Sequence, residues 1–363
     1  IDEEYYRAVE SISLRRVDAG DLRVVYSPQH GTGNVPVRRV LADLGYDVVP
    51  VEAQCTPDPD FSATKSPNPE SPLAYEAALE LADKVNADIV ITTDPDCDRL
   101  GVAARGGDGK LKLMTGNQSG AVLIEYILSA HRSMGTMPEK PVMVNTIVTS
   151  DLGDRICESY DVKVEKTLTG FKFIGERIAR HLAAHDANYV FGYEESYGYL
   201  TGSLARDKDA VLAVALVGEM AVYYHEQGKD LYDRLLELCE KYGYFVESTI
   251  SKEIDGLDFM EKIDAIMAKF RDPALKDMDG LTIRAVEDYE TGLRTERKDG
   301  AASRLDIPKA DVLKLFFDCG TLAVRPSGTE PKIKFYCSVS GETLEKAQQN
   351  LAQMKSALDK MIG

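Results

Sequence analysis

The sequence has too few cationic side chains to balance its acidic ones. Its 363 residues include 43 lysines and arginines against 60 aspartates and glutamates, which gives a formal net charge of −17. A protein that binds nucleic acid needs a cationic surface to offset the phosphate backbone. The acidic balance therefore excludes nucleic acid as a partner, and an anionic small substrate would need a locally basic site.

Paired cysteines and long apolar runs are also missing. The six cysteines are spread singly with no CxxC spacing, which predicts a reducing, cytoplasmic location. The nearest approach to a membrane span is residues 210–224, and Glu219 lies inside that run. We therefore expect no membrane partner, and we expect this segment to form a central buried helix.

The patterns that are present predict several domains. A chain of 363 residues exceeds what one hydrophobic core usually serves. Strand and helix patterns alternate over residues 22–93 and again over 142–193, which is typical of two tandem α/β domains with mixed, largely parallel sheets flanked by helices. From about residue 245 the pattern changes to that of an α+β domain with an antiparallel sheet. The predicted domains are residues 1–138, 139–245 and 246–363.

The most informative segment follows the apolar, β-branched strand pattern of residues 89–93. Three aspartates fall within five residues, and a divalent cation bound by oxygen ligands, Mg²⁺ or Ca²⁺, would neutralise them. A calcium loop of the EF-hand type needs glycine and glutamate where this sequence has Arg99 and Arg105. Mg²⁺ of the kind that serves phosphoryl transfer remains, with a solvated acidic turn as the alternative. The aspartates are Asp94, Asp96 and Asp98.

A second segment, residues 325–331, has the composition of a phosphate-binding turn. It reads Arg-Pro-Ser-Gly-Thr-Glu-Pro between two predicted strands. A guanidinium, two hydroxyls and a glycine that lets the backbone approach closely are the groups that a phosphate needs. Ordinary turn chemistry is the alternative interpretation. The candidate residues are Arg325, Ser327, Gly328 and Thr329.

Polar side chains also mark the ends of other predicted elements. Two glutamates follow the strand pattern of residues 189–193 and could accept sugar hydroxyls or ligate metal, unless they form a solvated strand end. A turn before a helix offers amide donors and an ammonium to an anion, unless it only caps the helix. A lysine opposes the dipole at the start of the helix predicted from residue 210. In order, these residues are Glu194 and Glu195; Thr169, Gly170 and Lys172; and Lys208.

Residues 31–36 keep a different function open. Gly-Thr-Gly-Asn-Val-Pro follows a predicted strand and opens a helix, and Glu52 comes about twenty residues later, as in a dinucleotide fingerprint. Pro36 stands in place of the third glycine, which weakens the packing of helix on strand. A nicotinamide-dependent oxidoreductase is therefore an alternative, and a melting shift on adding NAD would distinguish it.

Four separated segments together resemble the α-D-phosphohexomutases, the superfamily of phosphoglucomutase and phosphomannomutase. They are residues 92–99 (TTDPDCDR), 167–172 (TLTGFK), 192–196 (GYEES) and 325–331 (RPSGTEP). The resemblance covers essentially the whole chain. It implies the last three of four family domains, and a first residue other than methionine also suggests a fragment of a longer protein.

The resemblance further implies a mechanism and a role for each loop. A phosphoserine in a Thr-Ala-Ser-His-Asn-Pro loop of the first domain would phosphorylate a hexose phosphate, and the resulting hexose 1,6-bisphosphate would turn over and return a phosphoryl group from its other end. The three aspartates would hold Mg²⁺ with that phosphoserine, and Arg99 would lie beside the transferring group. The substrate-binding residues would be Thr169, Gly170, Lys172, Glu194, Ser196, Lys208, Arg325, Ser327, Gly328 and Thr329.

These implications define the expected enzyme, an isomerase that uses Mg²⁺ and glucose 1,6-bisphosphate. The phosphoserine loop does not occur in these residues, so the missing first domain is an expected partner and the chain alone is expected to be inactive. The GYEESYG segment favours glucose, but Tyr197 and Tyr199 depart from the Ser-Gly-His ending of dual-specificity members. Mannose and pentose phosphates, a non-catalytic sugar-phosphate binder, and a monomeric or dimeric state all stay open.

Overall fold

The computed structural model describes residues 2–20, 22–256, 258–327 and 330–362. The chain divides into two compact units, Ile1–Leu238 and Cys239–Gly363. The first unit contains two sheets with parallel strands, and the second contains one antiparallel sheet. This architecture confirms the fold class expected from the sequence, two α/β segments followed by an α+β segment.

The first sheet of the first unit has five strands in the order β2-β1-β3-β4-β5. Strands β2, β1 and β3 are parallel, while β4 and β5 continue the sheet in antiparallel fashion. The chain leaves β1 for one side of the sheet and returns to β3 on the other, so the carboxyl ends of β1 and β3 form a topological switch point. The elements are α1 (Asp2–Glu10), β1 (Arg23–Ser27), α2 (Asn34–Asp43), β2 (Asp47–Pro50), α3 (Glu76–Val85), β3 (Ile89–Thr93), β4 (Leu100–Arg105) and β5 (Leu111–Met114).

The second sheet repeats this plan with four strands in the order β7-β6-β8-β9. Strands β7, β6 and β8 are parallel and β9 is antiparallel, so a second switch point lies between β6 and β8. The elements are α4 (Gly116–Met134), β6 (Pro141–Thr146), α5 (Leu152–Ser159), β7 (Lys163–Thr167), α6 (Phe171–Ala184), β8 (Asn188–Tyr193), β9 (Tyr199–Leu200), α7 (Ala210–His225) and α8 (Leu231–Tyr242).

Helix α7 is buried along almost its whole length, as its uniformly apolar sequence predicts. It packs against α1, α2 and α4 and against β3 and β4 of the first sheet. Its one acidic residue, Glu219, accepts hydrogen bonds from the backbone N–H groups of Leu14 and Arg15 and from the Tyr126 hydroxyl. The charge is therefore compensated inside the core. Of the helices in the described residues, none has the length and apolarity needed to cross a membrane.

The second unit is built on an antiparallel sheet of order β10-β17-β16-β15-β12-β13-β14, with β11 paired to β12. Helices α9 and α10 pack with this sheet into one apolar core that includes Phe270, Phe335 and Leu358. The elements are β10 (Tyr244–Glu253), α9 (Phe259–Arg271), β11 (Asp277–Met278), β12 (Leu281–Asp288), β13 (Leu293–Glu296), β14 (Ala302–Arg304), β15 (Leu313–Phe317), β16 (Gly320–Pro326), β17 (Lys332–Gly341) and α10 (Leu344–Ile362).

Candidate metal and substrate site

The loop between β3 and β4 folds around the side chain of Asp94. Thr93 pairs with Leu100 in the sheet, so the loop is a short hairpin connection. Asp94 Oδ1 accepts the backbone N–H groups of Asp98 at 3.0 Å and of Arg99 at 2.9 Å. Cys97 adopts a left-handed backbone with φ of 58° and donates its N–H to the Asp94 carbonyl. These bonds fix where the loop's other side chains project.

The three aspartates converge as the sequence predicts. Asp94, Asp96 and Asp98 each offer an oxygen, and these oxygens lie within 4.8 Å of one another. Two ligands on opposite sides of Mg²⁺ lie about 4 Å apart, so small side-chain rotations would close the cluster around the ion. Burial raises the pKa of Asp94 to about 7, and the neighbouring aspartates add to the rise. A divalent cation would relieve this unfavourable charge, so the donor set fits Mg²⁺.

Two cations flank the aspartates. Lys208 Nζ contacts Asp98 Oδ2 at 2.6 Å, and the lysine side chain is only 14% exposed. Arg99 Nη1 contacts Glu70 Oε1 at 2.6 Å, while its Nε lies 3.8 Å from Asp94 Oδ2 and from Asp98 Oδ1. The site thus places two cationic side chains beside the carboxylates, while the cluster as a whole stays acidic.

The glycines of residues 31–36 pack against this loop. A Cβ on Gly31 would lie 2.4 Å from the Pro95 Cα, and one on Gly33 would lie 2.8 Å from the Cys97 Sγ. The Thr32 N–H donates to the Pro95 carbonyl at 2.8 Å. The space beside both glycines is therefore filled by the aspartate loop instead of being open to a pyrophosphate, and the dinucleotide interpretation is not supported.

The loop between β8 and β9 carries the two glutamates. Glu194 is buried and its Oε1 accepts the Gly170 N–H at 2.7 Å; burial raises its pKa. Glu195 accepts the Thr146 hydroxyl at 3.1 Å, and burial together with the Glu194 charge raises its pKa to about 7. The Leu100 N–H donates to the Tyr197 carbonyl at 2.9 Å, which joins this loop to the aspartate loop.

Only part of the turn before α6 contacts the glutamate loop. Gly170 has φ of 115°, a conformation that favours glycine, and its N–H reaches Glu194. Lys172 is exposed, with its Nζ 5.0 Å from the centre of the Phe173 ring. Thr169 is half-buried beside Gly170. The structure therefore brings Gly170 to the glutamate loop, while the Lys172 ammonium lies at the surface.

Comparison with known proteins gives this arrangement a family. Models described as phosphoglucomutase/phosphomannomutase α/β/α domain II, α/β/α domain III and C-terminal domain match residues 3–107, 115–242 and 261–354. The chain belongs to the phosphoglucomutase/phosphomannomutase family. A phosphoglucomutase of Staphylococcus epidermidis is 37% identical over 352 residues, which are 97% of this chain and 63% of that protein. The chain thus spans under two thirds of that relative's length.

Solved structures of the α-D-phosphohexomutase superfamily share the fold. The open form of the Paramecium phosphoprotein pp63/parafusin, a phosphoglucomutase, aligns with a TM-score of 0.70 and 16% identity, covering 99% of this chain and 62% of that one. An Aspergillus fumigatus N-acetylphosphoglucosamine mutase aligns with a TM-score of 0.57 and 14% identity, covering 100% of this chain and 66% of that one. The latter was solved with GlcNAc-6P and magnesium, and a variant of that mutase with glucose 1,6-bisphosphate.

In this phosphoglucomutase/phosphomannomutase chain, the turn predicted to bind phosphate connects β16 to β17 in the second unit. Arg325 pairs with Lys334 across the hairpin. The Ser327 N–H donates to the Lys332 carbonyl at 2.8 Å, and its Oγ accepts the Glu330 N–H at 3.2 Å. Gly328 and Thr329 lie outside the described residues. Ser327 also lines a pocket of about 320 Å³ with an apolar side formed by α9.

The sequence did not predict the contacts of Asp209 and Ala210, which hold the adjacent Lys208 beside the aspartate loop. Asp209 caps α7 by accepting the Leu212 N–H at 3.0 Å, and it also accepts the Tyr5 hydroxyl at 2.8 Å. The Ala210 N–H donates to the Cys97 carbonyl at 3.2 Å. The amino end of α7 is therefore tied directly to the aspartate loop. An aspartate just before an apolar helix is a capping signal, so the sequence could have predicted the hydrogen bond from Leu212 to Asp209 but not the contacts with Tyr5 and Cys97.

Proposed function

We propose that this chain is part of a phosphoglucomutase-type enzyme that interconverts hexose 1-phosphate and hexose 6-phosphate through a hexose 1,6-bisphosphate. The observation that carries the proposal is the convergence of Asp94, Asp96 and Asp98 between Arg99 and Lys208. A clustered carboxylate site flanked by cations suits phosphoryl transfer, which depends mainly on positioning and charge stabilisation. The name and 37% identity of the staphylococcal relative support glucose as the sugar.

Asp94, Asp96 and Asp98 would hold the Mg²⁺ of this enzyme. When bound, Mg²⁺ would neutralise the charge that develops on the transferring phosphoryl group. The Arg99 guanidinium presents several N–H donors in one plane and would bind the oxygens of that group bidentately. Lys208 would hold Asp98 in place from one side and offer its remaining N–H groups to the substrate from the other.

The sugar would be bound by residues of the β8–β9 loop and the turn before α6. A carboxylate accepts hydrogen bonds from sugar hydroxyls, and Glu194, which accepts the Gly170 N–H through one oxygen, would accept a sugar hydroxyl as well. Ser196, Thr169 and Lys172 would add hydroxyl and cationic contacts. The phosphate group that does not react would be bound by the Arg325 turn, through Arg325, Ser327, Gly328 and Thr329.

The serine that carries the phosphoryl group would belong to a further domain of the same polypeptide. These 363 residues contain no Thr-Ala-Ser-His-Asn-Pro sequence. The staphylococcal phosphoglucomutase is longer than the matched region. We therefore expect no turnover from this chain alone, and we propose domains at residues 1–138, 139–245 and 246–363 beside the phosphoserine domain. The six free cysteines favour a reducing, cytoplasmic location.

A coupled assay of the intact gene product tests the proposal. Glucose 1-phosphate, mannose 1-phosphate and ribose 1-phosphate would each be supplied with Mg²⁺ and glucose 1,6-bisphosphate. We expect the highest kcat/KM for glucose 1-phosphate and no rate in the presence of EDTA. A higher value for mannose or ribose phosphate would reassign the substrate. Binding of all three without turnover would show a non-catalytic sugar-phosphate binder instead.

A further inference from the structure

Arg99 lies within ion-pair distance of three carboxylates, and its shortest contact is to Glu70, the most distant of them in sequence. Its Nη1 lies 2.6 Å from Glu70 Oε1, which is a direct ion pair. Its Nε lies 3.8 Å from Asp94 Oδ2 and 3.8 Å from Asp98 Oδ1, which is too long for a hydrogen bond. The guanidinium thus makes its direct contact with Glu70, and its ion pairs with the two aspartates are longer.

The backbone at Glu70 is held against β4, the strand that begins directly after Arg99. The Glu70 N–H donates to Asn68 Oδ1 at 3.0 Å, and the next carbonyl back, that of Pro69, accepts the buried Tyr75 hydroxyl at 3.1 Å. A Cβ on Gly101 would lie only 2.0 Å from the Tyr75 hydroxyl, so this segment lies directly on β4. Because β4 begins one residue after Arg99, the backbone segments that carry Glu70 and Arg99 lie next to each other.

Charge at the loop explains why this pairing matters. Lys208 already contacts Asp98 at 2.6 Å, so one cation lies on the aspartate cluster. Three carboxylates and one ammonium leave a formal charge of −2, which suits a divalent cation. An unpaired Arg99 resting on Asp94 and Asp98 would reduce it to −1 and would occupy their oxygens.

We propose that Glu70 is a positioning residue that holds Arg99 off the aspartates. It keeps the carboxylate oxygens available to Mg²⁺ and leaves the remaining N–H groups of the guanidinium directed at the phosphoryl group. This inference rests on the proposed function, since it takes the aspartates as the Mg²⁺ ligands. Without the Glu70 charge, Arg99 moves onto Asp94 and Asp98 and competes with the ion.

Titration of the 363-residue chain with Mg²⁺ at pH 8, followed by calorimetry and by thermal shift, tests the inference without an activity assay. We expect Glu70→Gln to raise the apparent Kd about threefold to fivefold, because a half-exposed ion pair controls the competing cation. Glu70→Asp keeps the charge but shortens the reach, and it should fall between wild type and Glu70→Gln. The matched control is Glu76→Gln, which removes an exposed carboxylate paired with Lys65 at 2.7 Å and should leave the Kd unchanged.

A double-mutant cycle separates competition by Arg99 from a general loss of negative charge. Arg99→Gln should tighten Mg²⁺ binding, and Glu70→Gln added to it should have no further effect. If Glu70→Gln weakens binding equally in both backgrounds, or leaves wild-type binding unchanged, the positioning role is wrong while the metal site stands. If the wild-type chain binds no Mg²⁺, the metal assignment fails and the inference fails with it.

Discussion

The β3–β4 and β8–β9 loops of the first unit have the same local backbone design but surround their carboxylates with different groups. Each follows a strand at a switch point, and each has a non-glycine left-handed residue in fourth place, Cys97 with φ of 58° and Tyr197 with φ of 68°. Each loop packs directly against the backbone of a neighbouring glycine, where a side chain would leave no space. A Cβ on Gly31 would meet Pro95, and one on Gly116 would lie 2.2 Å from the Glu195 carbonyl oxygen.

What differs is how each loop compensates its carboxylates. The β3–β4 loop has three, converging on one another between a lysine and an arginine. The β8–β9 loop has two, which accept hydrogen bonds from the neutral Gly170 amide and from the neutral Thr146 and Thr149 hydroxyls. The first arrangement suits a bound cation and an anion beside it, whereas the second suits hydroxyl groups. One backbone plan thus presents two different sets of side chains, and the side chains, not the topology, decide the chemistry that each loop suits.

The largest effect is expected when one carboxylate is removed from each loop in the intact protein. Asp98→Asn should lower kcat/KM about a thousandfold, because it removes a proposed Mg²⁺ ligand and the ion-pair partner of Lys208 together. Glu195→Gln should cost no more than about tenfold. Asp108→Asn, which alters an exposed turn beside Lys112, is the control and should match wild type. Equal losses at both loops would contradict the division of roles, as a coupled assay with saturating Mg²⁺ would reveal.

The pH dependence of Mg²⁺ binding should be determined by the β3–β4 loop alone, through Asp94. The pKa of Asp94 is raised to about 7, and Mg²⁺ binds the ionised carboxylate, so protons compete with the ion below that pH. Calorimetry on the chain should show the apparent Kd rising about tenfold for each pH unit below 7 and nearly constant above pH 8. Asp94→Asn should bind weakly at every pH. A Kd that stays flat between pH 5 and 7 in the wild-type chain would contradict this assignment.

Glu195 of the β8–β9 loop should affect the thermal stability of the chain instead of its Mg²⁺ binding. The pKa of Glu195 is raised from 4.5 to about 7 in the folded chain, so the folded state holds a proton that the unfolded state has lost. Stability therefore falls as pH rises from about 4.5 through 7. Glu195→Gln should raise the Tm by about 3 to 6 °C at pH 8 and by little at pH 4. Scanning calorimetry with EDTA present measures this, and an unchanged Tm at pH 8 would show that the charge is compensated in another way.

The sequence predicted those parts of the molecule that local patterns determine. The β-branched run ending in Asp94 predicted β3, and the uniformly apolar run after Asp209 predicted the buried helix α7. Three alternating aspartates in one short loop predicted a metal site with a solvated acidic turn as the alternative, and the structure brings their oxygens within 4.8 Å of one another. The changed pattern after residue 245 predicted the antiparallel sheet.

Contacts between distant segments could not be predicted in the same way. Glu70 and Arg99 are separated by 29 residues, and Tyr5 and Asp209 by 204. Nothing in either local sequence indicates the other partner, because such pairs arise only when the strands and helices have packed. The glycines of residues 31–36 show the opposite error. Their pattern suggested a ligand, while in the structure they make room for Pro95 and Cys97.

The smallest expected effect concerns Cys97 itself. As a cysteine inside an acidic loop of this kind, Cys97 is a candidate for control of activity by oxidation, and a role as a passive spacer is the alternative. Burial raises the pKa of its thiol to about 12, and the Asp209 charge adds to the rise, so the thiol stays protonated at neutral pH. Iodoacetamide at pH 8 should leave Cys97 unmodified in the native chain, as mass spectrometry would show, and Cys97→Ser should change kcat/KM of the intact enzyme less than about twofold. Rapid alkylation with loss of Mg²⁺ binding would contradict this prediction. It would show that the β3–β4 loop differs from the β8–β9 loop in thiol reactivity as well as in charge.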